Sequence, residues 1–447
     1  MRPSRFLMVM FVSLSLAGAS PAQTVSTVFN FSLTTGAGPS FETLTQGRDG
    51  KLYGTTSSWG ENGRGTVFRF SPATGTVSVL HSFGGTDGDE PGSGLTLATD
   101  GNFYGTTVYG GSDYGVLYRI SSAGTYTVLH EFLGGGDGSS PYWPPIEASD
   151  GNLYGVAGGG DEFAPIVYKL TRSGVYSIVY SSDFSAGGWE ISGLMQGSDS
   201  LLYTTSQTGG ADGCGAIAKF TLTGVLRATH AFNCSNQGAF GEAPLIQAAD
   251  GNYYGTTTGG GVSDEAVLFQ LTSSFGENVL YNFGSTGATN PYARLVQGTD
   301  GNLYGTTYSG ELYSWNFTSG YSGFYTFAFG SDVSSGLMQD TSGLFYGPSF
   351  QGGTHNAGYI YSLNMGLAPF VTFVRSQGAV GSSAQVLGQG LTGTTGVTFN
   401  GVAATSFTVV NDTYMTAVVP SGAATGKVVV TTPSGALTSN VNFRIVN

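Results

Sequence analysis

Four histidines, two cysteines, a recurrent aspartate and a set of aromatic residues in acidic loops are the side chains here that could do chemistry. Histidine supplies general bases and metal ligands. His81, His130 and His230, however, hold one repeated position, two residues before a phenylalanine, and other copies place Tyr180, Tyr281, Phe327 and Phe29 there. A position that exchanges His with Tyr and Phe calls for a flat ring, so packing is expected. His355 stands alone in a loop and receives no role. The repeated aspartates Asp49, Asp100, Asp150, Asp199, Asp250 and Asp300 each open a tight turn. Calcium needs several oxygen ligands from one loop or from converging loops. A single turn Asp instead accepts backbone N–H bonds, so no metal site and no cofactor are expected. The Gly-rich loops lack a following Gly-Lys-Ser/Thr. Neither a Gly-x-Ser-x-Gly elbow nor a His-Glu-x-x-His pair occurs, and no catalytic residue is assigned.

The elements that must position these side chains come from one repeated unit. DGNLYGTT at 300–307 has near copies at 49–56, 100–107 and 250–257, a weaker one at 150–157 and eroded ones at 199–205 and 342–347. The shared tyrosines, Tyr53, Tyr104, Tyr154, Tyr203, Tyr254, Tyr304 and Tyr346, lie 51, 50, 49, 51, 50 and 42 residues apart. A fixed period near 50 marks a repeat architecture. Within one period, 93–132, short alternating or β-branched runs are separated by Asp-Gly, a Gly-rich loop and Ala-Gly. This predicts four antiparallel strands. Four strands per period fit a propeller blade. The start, Val28-Phe29-Asn30-Phe31, carries a fourth-strand pattern with no first strand before it, and the last period lacks its fourth. Pairing the two closes a ring without an open sheet edge. The fold expected for 23–366 is therefore all-β, a seven-bladed β-propeller. After a linker at 367–369, residues 370–447 predict a small immunoglobulin-like β-sandwich from short strands separated by Asn-Gly and Pro-Ser-Gly turns.

The chain has 447 residues and a formal net charge of -13, with only 15 Lys and Arg. Phosphate recognition needs clustered basic residues, so a nucleic-acid partner is excluded. Residues 1–22 read as a signal peptide, with Arg2 and Arg5 before an apolar run and small residues before a cleavage after Ala22. The mature chain has no stretch long and apolar enough for a membrane helix, and a secreted protein is expected. Cys214 falls just before a third strand and Cys234 just after the neighbouring fourth. Antiparallel neighbours bring those ends together, so a disulfide is expected.

Residues DGNLYGTT, a Gly-Gly loop, Gly-x-Val-Phe-Arg-Phe at 65–70 and Val-Leu-His-Ser-Phe at 79–83 resemble the bacterial GloVer (Gloeo/Verruco) tandem repeat, over roughly 25–364. The resemblance implies an exported bacterial protein and hands over no catalytic residue. The tail resembles an IPT/TIG domain through Val-Thr-Phe-Asn-Gly-Val-Ala-Ala at 397–404, Val-Val-Pro at 418–420 and Gly-Lys-Val-Val-Val-Thr-Thr at 426–432. Such a domain implies a spacer or contact module.

In a ring of this kind the loops between second and third strands, and those between blades, open on one face. They hold more than half of the 28 acidic residues. They also hold Trp59, Trp143 and Trp189, with Tyr109, Tyr114, Tyr142 and Tyr292. Aromatic plates beside carboxylates suit sugar stacking with hydroxyl hydrogen bonds, or a cationic partner. The expected ligand residues are Trp59, Tyr109, Trp143, Trp189 and Tyr292. The leading expectation is a secreted, non-enzymatic protein that binds a polysaccharide or an extracellular protein. The alternatives are a carbohydrate-active hydrolase or lyase with paired carboxylates, and a structural matrix component. The sequence assigns no oligomeric state.

Overall fold

The turn motif explains the local structure. In DGN-x-Y the Asp100 carboxylate accepts from the Asn102 backbone N–H (3.0 Å), the Asn102 side chain (2.8 Å) and the Tyr104 hydroxyl (2.8 Å). Gly101 takes φ +89°, which a side chain at that position resists. The same clasp recurs at Asp150, Asp250 and Asp300. Burial works to raise the Asp100 carboxyl. The bonds from Asn102 and Tyr104 and the charge of Arg172 outweigh it and hold the group below the usual carboxylate range. Burial and the same carboxylate push the Tyr104 hydroxyl up to about 12. Each repeated aspartate therefore locks its own hairpin.

The computed structural model describes residues 23–39, 43–159, 164–182, 191–286, 290–328, 332–333 and 335–446. Each turn motif leads into the second strand of an antiparallel sheet, as in Thr96–Leu97, Phe103–Thr107, Val116–Ile120 and Tyr126–Glu131, paired in that order. Sheets of the same order follow one another to the strand Gly320–Thr326, and the one around Leu52–Ser58 gains a further strand, Ala37–Pro39. The last such sheet combines the two ends of the repeat region. Thr24–Asn30 pairs with Tyr359–Asn364, Thr24 opposite Asn364 and Asn30 opposite Tyr359. Phe345–Ser349 and Met338–Gln339 complete it.

The glycine of Tyr-Gly-Thr is set by a cross-strand partner. Gly54, Gly105, Gly155, Gly255, Gly305 and Gly347 pair with Phe68, Tyr118, Tyr168, Phe269, Tyr313 and Tyr361 of the third strand. A Cβ on Gly155 would stand 2.2 Å from the Tyr168 hydroxyl oxygen, so the ring occupies the space a side chain would need. That ring meets, edge-on, a fully buried phenylalanine that follows directly on the fourth strand of the preceding sheet. Phe31–Phe68, Phe83–Tyr118, Phe132–Tyr168, Phe232–Phe269 and Phe283–Tyr313 lie 5.0, 5.5, 5.6, 5.4 and 5.1 Å apart between centroids. The phenylalanines of the repeated Leu-His-x-Phe pattern are thus wedges between sheets. Its Leu is the extra residue of a β-bulge, since the pairing passes from Val79 to His81 and from Val128 to His130.

One junction departs from this scheme on both sides at once. Ser182 replaces the wedge and Ala218 replaces the ring, with Thr204 in the glycine's place. Tyr180 against Phe220, 4.5 Å apart, fills the gap. This is why the motif at 199–205 looks eroded.

Four of the buried rings carry a hydroxyl with no protein partner among the described residues, at Tyr118, Tyr168, Tyr313 and Tyr361. Phe68 and Phe269 occupy the same place without one. Tyr168→Phe is therefore expected to leave stability unchanged or raise it by about 1 kcal/mol. Urea denaturation checks this, and a loss above that size would mean the hydroxyl is bonded.

Amides join consecutive sheets near the turns. Gln196 accepts from Ser149 N–H (2.8 Å) and donates to Ser149 Oγ (3.0 Å), and Gln247 does the same to Ser198 (2.8 and 3.0 Å). Gln46 does it to Thr341 across the seam, accepting at 3.0 Å and donating at 2.8 Å. Four-stranded sheets in series, wedged together and closed end to end, make this region a β-propeller.

Residues 370–446 form two four-stranded sheets and a short parallel pair, Gln377–Ala379 with Arg444–Val446, on a common core that includes Val386, Val397, Phe399, Met415, Val430 and Phe443. They dock on the Asp-Gly turn end of the propeller. Leu387 and Tyr414 share a core cluster with Tyr53, Leu97 and Phe103. Arg48 donates to Gln385 Oε1 (2.7 Å), Thr413 Oγ1 donates to the Arg48 carbonyl (2.8 Å), and Arg444 donates to Ser200 Oγ (2.7 Å).

Candidate functional site

The tail docks on the turn end, so the loops at the opposite end are the face it leaves free. The carboxylates there have definite jobs. Asp87 accepts from the Gly84 N–H (2.7 Å) and pairs with His81 Nε2 (2.8 Å), and Asp137 accepts from Leu133 N–H (3.0 Å) and pairs with His130 Nε2 (3.1 Å). Asp89 pairs with Arg64. His81 lies flat on Tyr126 of the next sheet (3.9 Å, 4°) and His130 on Tyr176 (3.6 Å, 6°). Burial lowers the His81 imidazole, with Asp87 opposing. His230 meets Glu277 instead (2.6 Å), whose side chain is enclosed and whose carboxyl burial raises against the opposing pull of His230. Tyr281 stacks on Tyr321 (4.0 Å, 4°), as a flat-ring position predicts. One assignment changes. Tyr325 pairs with Leu312 as His81 pairs with Val67, so Tyr325 holds the ring position in that sheet and Phe327 holds the wedge. The bulge at 324 stands where Leu80 stands, so this copy begins two residues earlier than the sequence reading placed it.

The five expected ligand residues separate. Tyr109 is 49% exposed on the free face, its backbone bridged to Asp89. Tyr292 is half-buried and meets Tyr308 edge-on at 5.8 Å. Trp59 sits at φ +63° and packs on the Phe31 cluster rather than standing out as a plate. Trp143 packs on the cluster of Tyr154 and Leu194. Trp189 lies outside the described residues. Cys214 and Cys234 form a disulfide with Cα atoms 5.6 Å apart.

Inside the ring the first strands line an axial cavity of about 310 Å³. Its wall includes Thr43, Gln46, Leu95, Trp143, Gly193, Pro244, Arg294 and Met338, and Thr372 to Val374 of the tail contribute at the turn end. Counted back from the turns, Thr43, Gly94, Pro144, Gly193, Pro244, Arg294 and Gly336 hold equivalent places. Among the described residues Arg294 is the one charged residue of the lining. Among the described residues no group of three or more His, Cys, Asp or Glu is placed to hold a metal, and no helix is long and apolar enough to cross a membrane.

The Gloeobacter/Verrucomicrobia repeat matches residues 16–181 and 112–318, more than half of the chain. The chain belongs to this repeat family. No curated protein matches it. Among solved structures, the repeat-family chain is similar to an oligogalacturonate lyase in complex with manganese, at 12% identity over 77% of this chain and 97% of that one, with a TM-score of 0.49. It is likewise similar to the WD40 β-propeller domain of Doa1, at 11% identity over 74% and 95%, with a TM-score of 0.49.

Three features of this family member lie beyond the residues singled out from sequence. Phe240 and Tyr308 are exposed on the free face by 39% and 55%, and Arg294 lines the axis. Arg294 was findable by aligning the repeats on their turns, where it breaks a column of Thr, Gly and Pro. Phe240 and Tyr308 follow no repeated column, so only the folded loops reveal them.

Proposed function

We propose that this is a secreted, non-enzymatic carbohydrate-binding protein, a seven-bladed β-propeller whose loop face takes the saccharide and whose immunoglobulin-like tail, resembling an IPT/TIG domain, serves as a spacer on the opposite end. One observation carries the reading. Tyr109, Tyr114, Tyr142, Phe240 and Tyr308, between 39% and 55% exposed, all lie in loops of the face the tail leaves free. Exposed aromatic rings on one face can stack against the flat faces of a sugar. The loop carboxylates and hydroxyls beside them suit a polyhydroxylated ligand better than an apolar one. The seven-bladed reading rests on the seven tyrosine motifs and the seam at Thr24–Asn30. Export is supported by the disulfide, which belongs to oxidising compartments. The signal peptide at 1–22 lies outside the described residues and is proposed from sequence.

The test is a polysaccharide and glycan binding screen on residues 23–447, with each bound glycan examined for chain cleavage. The expected result is binding without cleavage, weakened at least tenfold by the pair Tyr109→Ala and Tyr308→Ala. Cleavage would replace this reading with that of a hydrolase or lyase. Absence of binding to any glycan would overturn it.

A further inference from the structure

We propose that the axial cavity holds an anchoring subsite for a carboxylate-bearing sugar, a uronate residue, with Arg294 as its ligand. The inference deepens the carbohydrate reading and rests on it. Arg294 is half-buried on the cavity wall, and among the described residues no carboxylate or carbonyl pairs with it. A guanidinium keeps its charge at any ordinary pH. Withdrawn from part of its water without a counter-charge, it is a cost to the fold. The fold does not require that cost, since the equivalent residues of the other sheets are Thr, Gly or Pro. The chain is moreover strongly acidic, with a net charge of -13, yet among the described residues no carboxylate is placed on this arginine.

What a guanidinium offers is a planar fork of donors matched to a carboxylate, bonded through two N–H groups at once. The rest of the lining agrees with a sugar acid rather than a bare ion. Trp143, three sheets away around the ring and so on the facing wall, gives an apolar ring surface, while Thr96 and Thr372 give hydroxyl groups. Val374 and its neighbours in the tail bound the cavity at the turn end, so the ligand enters from the loop face. A saccharide lying across the loop aromatics would then insert one charged residue into the axis.

Calorimetric titration of residues 23–447 with a triuronate and with a neutral trisaccharide of the same linkage tests this. The wild-type protein is expected to prefer the triuronate at least tenfold. Arg294→Thr, the residue found naturally at 43, is expected to melt with the wild type, abolish that preference and leave neutral binding unchanged. Arg294→Lys should retain part of it. If wild type binds both sugars equally, or Arg294→Thr keeps the preference, the subsite is overturned while the loop-face reading stands. If neither sugar nor any glycan of the screen binds, both fall. Displacement of the triuronate by millimolar inorganic phosphate would overturn the sugar-acid assignment, because the site would then read charge alone.

Discussion

Phe31→Ala is expected to lower the unfolding free energy by about 3–5 kcal/mol, the cost of a large-to-small change at a fully buried aromatic. Phe31 is completely enclosed. It follows the strand that the start of the repeat region lends to the last sheet, and its ring packs on Phe68 of the first. It is therefore the wedge at the seam, and the cavity left behind opens between two sheets that share one core cluster, with Phe70 on Tyr346 and the Gln46–Thr341 clasp beside it. Phe29→Ala, at a half-buried position of the same strand, should cost less. Urea denaturation of both variants checks the order. A loss below about 1 kcal/mol for Phe31→Ala would show that the seam does not limit stability.

The second large effect concerns the cysteines. Replacing both Cys214 and Cys234 by Ser is expected to cost about 3 kcal/mol, as the chain-entropy account gives for a closed loop of this length, 20 residues. The bond ties the third and fourth strands of the sheet whose junction with its predecessor lacks both wedge and ring, at Ser182 and Ala218. Losing the tie there leaves the Tyr180–Phe220 contact to hold that junction. Thermal melts with and without reductant measure it. Coincident curves would mean that strand pairing alone fixes that sheet.

The propeller was legible because its period is written in residues with single purposes. Asp and Asn cap a turn, Gly makes room for a ring, and Phe wedges two sheets. Each purpose is local or reaches one neighbouring sheet, so spacing along the chain reports it. The cysteine pairing was readable for the same reason, since antiparallel geometry converts sequence position into proximity. The binding face was readable only in outline. Trp59 and Trp143 stand in loops by sequence, yet their size lets them fold back onto nearby clusters, and burial of that much apolar surface outweighs display. Tyr109 stays out because its backbone is held in the bridge to Asp89. The docking of the tail was not legible at all, because it depends on contacts between residues as distant as Thr413 and Arg48.

The seam also sets a timetable. Thr24–Asn30 leaves the ribosome before every other strand of the ring, and its partner Tyr359–Asn364 leaves after them all. The sheets between can close on their own hairpins as they emerge, while the leading strand waits with its edge unpaired. A chain interrupted before residue 359 has every sheet but the one that receives that strand, and its free end is matched to the last sheet of any complete copy nearby. Truncated and full-length chains made together would thus compete for the same edge, and prompt completion of synthesis is what keeps each ring its own.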